Sequence, residues 1–141
     1  MGALADRYRI TDRNLALRKG FIRFTDEDVR ILAQLADWAD RQAEAIAREF
    51  YDHQFTFPPT VAYFEGQARR RGTSMDELRR HLERSQAGYF RGIFQEAAQS
   101  GTYGARYFES RLHVGNVHNH INLPVKWYLG ANLSYFDLVR K

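Results

Sequence analysis

The chain has 141 residues, of which 44% are hydrophobic and 27% charged, and its formal net charge is +4. These values are typical of a single globular domain that is large enough to bury a proper core. The absence of cysteine excludes disulfides, zinc–thiolate sites and iron–sulfur clusters.

Residues 1–20 show no clear periodicity, and we interpret them as a short helical or irregular extension before one domain at residues 21–141. The positive charges are scattered along the chain, except for the cluster Arg69–Arg71, which we interpret as a solvated loop rather than an anion site. No apolar run approaches the ~18 residues that span a bilayer. We therefore expect a cytoplasmic protein that binds neither nucleic acid nor membranes.

The first long segment predicts two helices in close succession. Thr25 and Asp28 form a capping box with a short acid, which predicts a helix from there to about Ala39. The apolar spacing continues over residues 43–54, which predicts a second helix after almost no break. Pro58 and Pro59 then end the helical pattern.

The second half of the chain is also helical in pattern. Residues 60–64 predict a short helical turn, and the polar, basic residues 65–72 predict a loop. Ser74 and Glu77 form a second capping box at the start of a long amphipathic helix, which ends at Ser100 and Gly101. No alternating strand pattern persists anywhere, so the sequence predicts an all-α fold.

A further helix, residues 103–121, carries His118 in an apolar stripe. The stripe follows steps of four, three, four and three residues, which keep its members on one helix face: Tyr107, Arg111, Val114, His118 and Ile121. Gly115, one turn before His118, leaves room for a flat group to approach the backbone. Taken alone, such a histidine is more often a core residue than a metal ligand.

The segment around His118 resembles the proximal-histidine segment of the sensor globins, the haem domains of globin-coupled sensors. Their pattern is R-x-x-V-G-x-x-H-x-x-I-G-L-x-x-x-W-Y-x-G-A. The chain matches it at ten positions: Arg111, Val114, Gly115, His118, Ile121, Leu123, Trp127, Tyr128, Gly130 and Ala131. It differs at Asn122, where glycine is usual, and at His120, where arginine is frequent. The resemblance implies a globin-like fold of crossed helices around a haem b pocket, with His118 as the proximal iron ligand.

A second segment, Phe50 to His53, is similar to the sensor-globin segment that carries the distal tyrosine. The resemblance implies that Tyr51 donates a hydrogen bond to the gas, whereas its alternative role is that of a core aromatic residue. It also places Leu78, His81 and Leu82 around the distal pocket. There His81 would be a second polar contact, a sixth iron ligand or, as we favour, a surface residue.

The resemblance adds Val114, Gly115 and Tyr128 to the cofactor-binding residues. Tyr128 would lie near the proximal imidazole, where a second group usually fixes a ligating histidine, and it could relay a signal. We expect His53, His113 and His120 to be exposed. His118 and His120 face different sides of one helix and do not form a zinc pair.

These features predict a haem-based sensor domain for O2, which would also bind CO and NO. We expect no catalysis in this segment, and a C-terminal signalling domain such as a cyclase, kinase or chemoreceptor module would receive the signal. Two alternatives are a single-domain globin that oxidises NO or handles peroxide with a reductase, and a haem-free helical interaction domain in which His118 is only packing.

The segment after Pro124 predicts one last helix whose apolar face exceeds what this chain can cover. That face comprises Trp127, Tyr128, Leu129, Tyr135, Phe136 and Leu138. A globin ends in a pair of long helices, so the final helix is either missing or supplied beyond Lys141. We expect the polypeptide to continue past Lys141 and to form a homodimer through this region, as the sensor globins do.

Overall fold

The computed structural model describes residues 3–141, and all regular structure in that range is helical. The predicted all-α class is confirmed. The helices are α1 (Ala3–Arg7), α2 (Asp12–Phe21), α3 (Asp26–Gln34), α4 (Ala36–Gln54), α5 (Pro58–Arg71), α6 (Met75–Gln99), α7 (Ala105–His120) and α8 (Val125–Val139).

The described residues form two compact units. The first unit combines the chain up to Ala39 with Gly92–Asn122, and the second combines Asp40–Arg91 with Leu123–Lys141. The predicted boundary after residue 20 remains a prediction, and residues 1 and 2 of that extension lie outside the described residues.

In the first unit, the N-terminal helices α1 and α2 belong to the packed structure around α7. The Glu109 carboxylate on α7 accepts hydrogen bonds from the backbone N–H groups of Leu4, at 3.0 Å, and Ala5, at 2.6 Å. These bonds stabilise the charged carboxylate and hold the pKa of Glu109 below its usual value, with the Leu4 N–H as the largest cause. A buried apolar cluster of Ala5, Ile10 and Leu15 adds to this attachment, and the partly buried Phe108 and Leu112 of α7 pack against it.

The boundary between α3 and α4 lies earlier than predicted. The Thr25 capping box is present, because the Asp28 carboxylate accepts from the Thr25 N–H at 2.7 Å and the Thr25 hydroxyl accepts from the Asp28 N–H. However, α3 ends at Gln34 rather than near Ala39, and only Leu35 separates it from α4. Neither glycine nor proline marks this break in the sequence, so the apolar spacing alone could not locate it.

The predicted turn at residues 60–64 and loop at residues 65–72 are wrong, since α5 spans both segments as one helix. Pro58 and Pro59 occupy its first positions, where a missing N–H costs no hydrogen bond. Its end is set by Gly72, which adopts the left-handed conformation with φ 63°. The arginines of Arg69–Arg71 lie in the last turn, where the partial negative charge of the helix end favours cations. These arginines are polar because they lie on the exposed surface of the helix, and their polarity does not indicate a loop.

The long helix α6 begins and ends as predicted. The Glu77 carboxylate accepts from the Ser74 N–H at 3.0 Å, and the Ser74 hydroxyl accepts from the Glu77 N–H at 3.2 Å. After Gln99 the chain turns at Gly101, whose φ of 63° is again left-handed. The capping box and the glycine therefore define both ends of α6.

The last helix, α8, presents a different apolar face from the one predicted. Tyr135 is half-buried, and its ring lies 5.4 Å from that of Phe50 and 6.0 Å from that of Phe90. Trp127 and Leu138 are also half-buried. The exposed stripe follows steps of four, four and three residues, and its members are Val125, Leu129, Leu133 and Phe136, which are 59–70% exposed.

We predict opposite effects of alanine at two glycines of the same segment, one inside α5 and one at its end. A Cβ at either Gly66 or Gly72 would meet no atom within 4 Å, so only backbone conformation matters. Gly72→Ala should destabilise the fold by about 1 kcal/mol, because a side chain disfavours the left-handed conformation. Gly66→Ala, inside α5, should stabilise it by about 0.5–1 kcal/mol. Urea denaturation measures both, and shifts of the same sign would contradict the assigned end of α5.

Candidate functional site

The stripe predicted from the sequence is the inward-facing side of α7. Its five members are all half-buried: Tyr107, Arg111, Val114, His118 and Ile121. The residues between them in the last turns are largely exposed, including His113, Val117 and His120. Because all five residues are half-buried and recur at helical spacing, His118 shares one face of α7 with the other four.

The start of α7 is fixed by Tyr103. Its hydroxyl donates a hydrogen bond to the Ile93 carbonyl at 2.6 Å, and its ring lies 5.2 Å from that of Phe24 and 4.9 Å from that of Tyr107. Burial raises the pKa of the Tyr103 phenol to about 12, which keeps this donor protonated at neutral pH. Tyr103 also adopts a left-handed φ of 43°, and its contacts hold this strained conformation in place.

Further along α7, the first residue of the sensor-globin motif packs tightly against α6. The guanidinium of Arg111 lies 4.3 Å from the Tyr107 ring centroid, a cation–π geometry. A Cβ at Gly92 on α6 would lie 3.0 Å from Arg111 Nη2. The missing side chain of Gly92 therefore makes room for the guanidinium and allows this close packing.

His118 favours the protonation state that a metal ligand needs. Partial burial lowers the pKa of its imidazole below the usual 6.5, which favours the neutral ring that can donate a lone pair to a metal. One turn earlier, Gly115 is exposed, and a Cβ there would meet nothing within 4 Å. A neutral imidazole beside an open stretch of backbone fits a planar, iron-carrying cofactor.

The turn after α7 explains how the chain accommodates one departure from the sensor-globin pattern. Asn122 adopts a left-handed φ of 51°, the conformation for which glycine is the usual residue. Asparagine tolerates this conformation better than most other residues. The replacement of glycine by Asn122 therefore preserves the turn, and Pro124 caps the start of α8.

In the second unit, Tyr51 on α4 is only 8% exposed. Burial is the main cause that raises the pKa of its phenol well above 10, so it remains a hydrogen-bond donor at any physiological pH. Its ring makes edge contacts with those of Phe50, Phe55 and Phe64, at 5.1, 6.4 and 6.3 Å. The rings of Phe55 and Phe64 stack at 5.3 Å.

Sequence reasoning missed Phe55 and Phe64 as residues that orient Tyr51. Phe55 follows Tyr51 by four residues, and this spacing was a usable signal. Phe64 comes from α5, and the sequence predicted only a short helical turn at residues 60–64, so the packing of Phe64 against Tyr51 could not be assigned.

The predicted distal residues on α6 differ in exposure. Leu78 is buried and Leu82 half-buried, so both can contribute to an apolar lining. His81 is exposed, which favours the surface interpretation over a polar contact or a sixth iron ligand. Tyr128 on α8 is 45% exposed, and its coupling to His118 remains a prediction.

The other histidines lie at the surface, as predicted. His53, His113 and His120 are exposed. The His120 ring nitrogen Nδ1 lies 2.8 Å from the Asn116 carbonyl oxygen, and His113 lies 3.8 Å from the Glu109 carboxylate. Within residues 3–141, no group of three or more histidine or acidic side chains could hold a metal ion.

An all-α chain with a half-buried histidine on its seventh helix agrees with a globin-type domain. The chain belongs to the protoglobin family, whose pattern matches residues 11–140. It is also similar to the heme-based aerotactic transducer HemAT of Halobacterium salinarum, with 27% identity over 134 residues. These findings confirm the resemblance to sensor globins and agree with the prediction that this segment is not itself an enzyme.

The similarity covers 95% of this chain but only 25% of the transducer, so the chain spans about a quarter of that relative's length. No solved structure matches the chain significantly. Every helix within residues 3–141 is too short or too polar to cross a bilayer.

Proposed function

We propose that this domain binds haem b through His118 and senses a diatomic gas, with O2 as the principal ligand. The observation that carries the proposal is the half-buried His118, whose lowered pKa favours the neutral imidazole, beside the open backbone at Gly115. Membership of the protoglobin family and similarity to a protein named as a heme-based transducer support it.

When bound, haem would supply an iron atom to which His118 would be a ligand and at which a diatomic gas could bind. The protein's task on the proximal side is to present His118 as a neutral ligand in a fixed orientation. The contacts of Tyr103 and Arg111 fix the helix that carries it. Val114 and Gly115 would form the apolar and open parts of the surface beside the imidazole.

On the gas side, Tyr51 would donate its phenol O–H to the ligand. Burial keeps the phenol protonated, and the ring contacts of Phe50, Phe55 and Phe64 restrict its orientation. O2 acquires more negative charge than CO in such a site, so it gains more from this donor. Such a hydrogen bond is worth about 1–3 kcal/mol, or about tenfold to a hundredfold in affinity.

The ring contacts offer a route from Tyr51 to the surface of α8. Phe50 touches Tyr51 and also Tyr135 on α8, with ring centroids 5.1 and 5.4 Å apart. A shift of Tyr51 on gas binding would reach α8 through these rings. The exposed stripe of α8 would then pass the change to a second copy of the chain and to a C-terminal signalling domain, as the similarity to a transducer suggests.

We predict that His118→Ala removes proximal ligation. After addition of haem and reduction, the variant should lack the five-coordinate ferrous absorption spectrum of the unmodified protein. His113→Ala and His120→Ala serve as matched controls on the same helix and should give the unmodified spectrum, because both residues are exposed. An unchanged spectrum for His118→Ala would show that another residue binds the iron.

We predict that Tyr51→Phe speeds O2 dissociation by about one to two orders of magnitude, because the variant lacks one donor and keeps its ring. CO dissociation should change much less. Tyr135→Phe is the control, since it removes a half-buried hydroxyl from the same group of rings. Stopped-flow measurements test both variants. Equal effects on O2 and CO, or equal effects of the two substitutions, would contradict the assigned role of Tyr51.

We predict that the chain dimerises through the exposed stripe of α8. Leu133, which is 70% exposed, lies within this stripe, and Leu133→Arg should convert a dimer to a monomer in light scattering. Leu17→Arg, at a residue of 68% exposure on α2, should leave the dimer intact. A monomeric unmodified chain, or dissociation by the α2 substitution alone, would contradict the α8 interface.

A further inference from the structure

The end of α2 carries an unusually exposed group of apolar side chains. Leu17, Phe21 and Ile22 are 68%, 89% and 68% exposed. Large apolar side chains that protrude together in this way commonly mark an interaction site. We name these three residues the α2 tip.

The α2 tip borders an open groove of about 630 Å³ within the first unit. Leu15 and Phe108 form its apolar floor, and Arg18 and Lys19 belong to the same lining. Apolar side chains and two cations therefore share one surface.

The charged residues nearest the α2 tip in the sequence are cations, and acidic residues flank this stretch at Asp12 and Asp26. Residues 13–23 contain Arg13, Arg18, Lys19 and Arg23 and no acidic residue. Lys19 Nζ donates to the Thr102 carbonyl, which attaches this lysine to the groove, whereas Arg18 is exposed. A partner of this surface must supply negative charge next to an apolar phase.

We propose that the α2 tip is a docking site for an anionic lipid surface. An anionic bilayer presents both kinds of partner at one interface. Its headgroups would contact the exposed Arg18, and the boundary of its acyl chains would contact Phe21 and Ile22. The protruding position of Phe21 suits shallow insertion, and the open groove beside it can receive part of an acyl chain. This proposal revises the expectation from the sequence that the chain does not bind membranes, because that expectation considered only spanning segments and scattered charge and not the exposed apolar residues of the α2 tip.

This docking requires both kinds of contact. A polybasic segment alone is held by charge and is released as salt shortens the Debye length to about 3 Å at 1 M. The apolar side chains add salt-resistant affinity in proportion to the area they bury. Neutral lipid should therefore bind the chain only weakly, and anionic lipid should bind it in a salt-sensitive way.

The test is co-sedimentation of the full 141-residue chain with vesicles of phosphatidylcholine alone and with one-third phosphatidylglycerol. The chain should sediment with the anionic vesicles. Phe21→Ser/Ile22→Ser should weaken binding at least tenfold, and Arg18→Gln should weaken it about fivefold. All substituted residues are exposed, so circular dichroism should show an intact fold.

Matched controls distinguish binding at the α2 tip from nonspecific binding of exposed apolar or basic residues to the vesicles. Ile31→Ser/Leu35→Ser removes two exposed apolar residues, at α3 and directly after it, that belong neither to the α2 tip nor to the exposed stripe of α8. Arg41→Gln removes an exposed cation from α4. Both variants should bind anionic vesicles as the unmodified chain does.

Absence of vesicle binding, equal binding to both vesicle types, or equal losses in the controls would overturn the proposal. So would a Phe21→Ser/Ile22→Ser variant that changes oligomeric state and not lipid binding, which would assign the α2 tip to contact between copies. The measurement does not depend on haem, so its result is independent of the proposed gas sensing.

Discussion

The packing of α7 determines how His118 is presented, and much of the first unit serves this packing. Tyr103 holds the start of the helix through its bond to the Ile93 carbonyl, and Arg111 is held between the Tyr107 ring and Gly92. The resulting face leaves the imidazole partly desolvated, which lowers its pKa and favours the neutral form. The neutral imidazole is the form that the proposed role of His118 as an iron ligand requires.

Glu109 adds an attachment on another side of α7. Its carboxylate accepts the N–H groups of Leu4 and Ala5, so the N-terminal helix α1 is tied to the helix that carries His118. A displacement of α7 would therefore also displace α1 and α2. The α2 tip and the neighbouring Arg18 belong to the same compact unit as α7.

The sequence predicted the features that depend on local spacing and capping. The His118 stripe, both capping boxes and the glycine end of α6 follow from side-chain periodicity and backbone chemistry, which act over a few residues. The prediction was wrong for α5, because its exposed polar residues resemble a loop in composition. It was also wrong in part for α8, since burial of Tyr135 depends on Phe50 and Phe90, which are distant in sequence. Phe64 beside Tyr51 was missed because it comes from α5, whereas Phe55 follows Tyr51 by four residues and could have been predicted.

The most direct measurement of the central claim is the absorption spectrum of the purified chain during haem titration, followed by reduction and exposure to O2 and CO. The account predicts saturation at one haem per chain and a ferrous spectrum that shifts reversibly with each gas. A chain that takes up no haem, or whose reduced spectrum is unaffected by both gases, would contradict the assignment of this domain as a gas sensor.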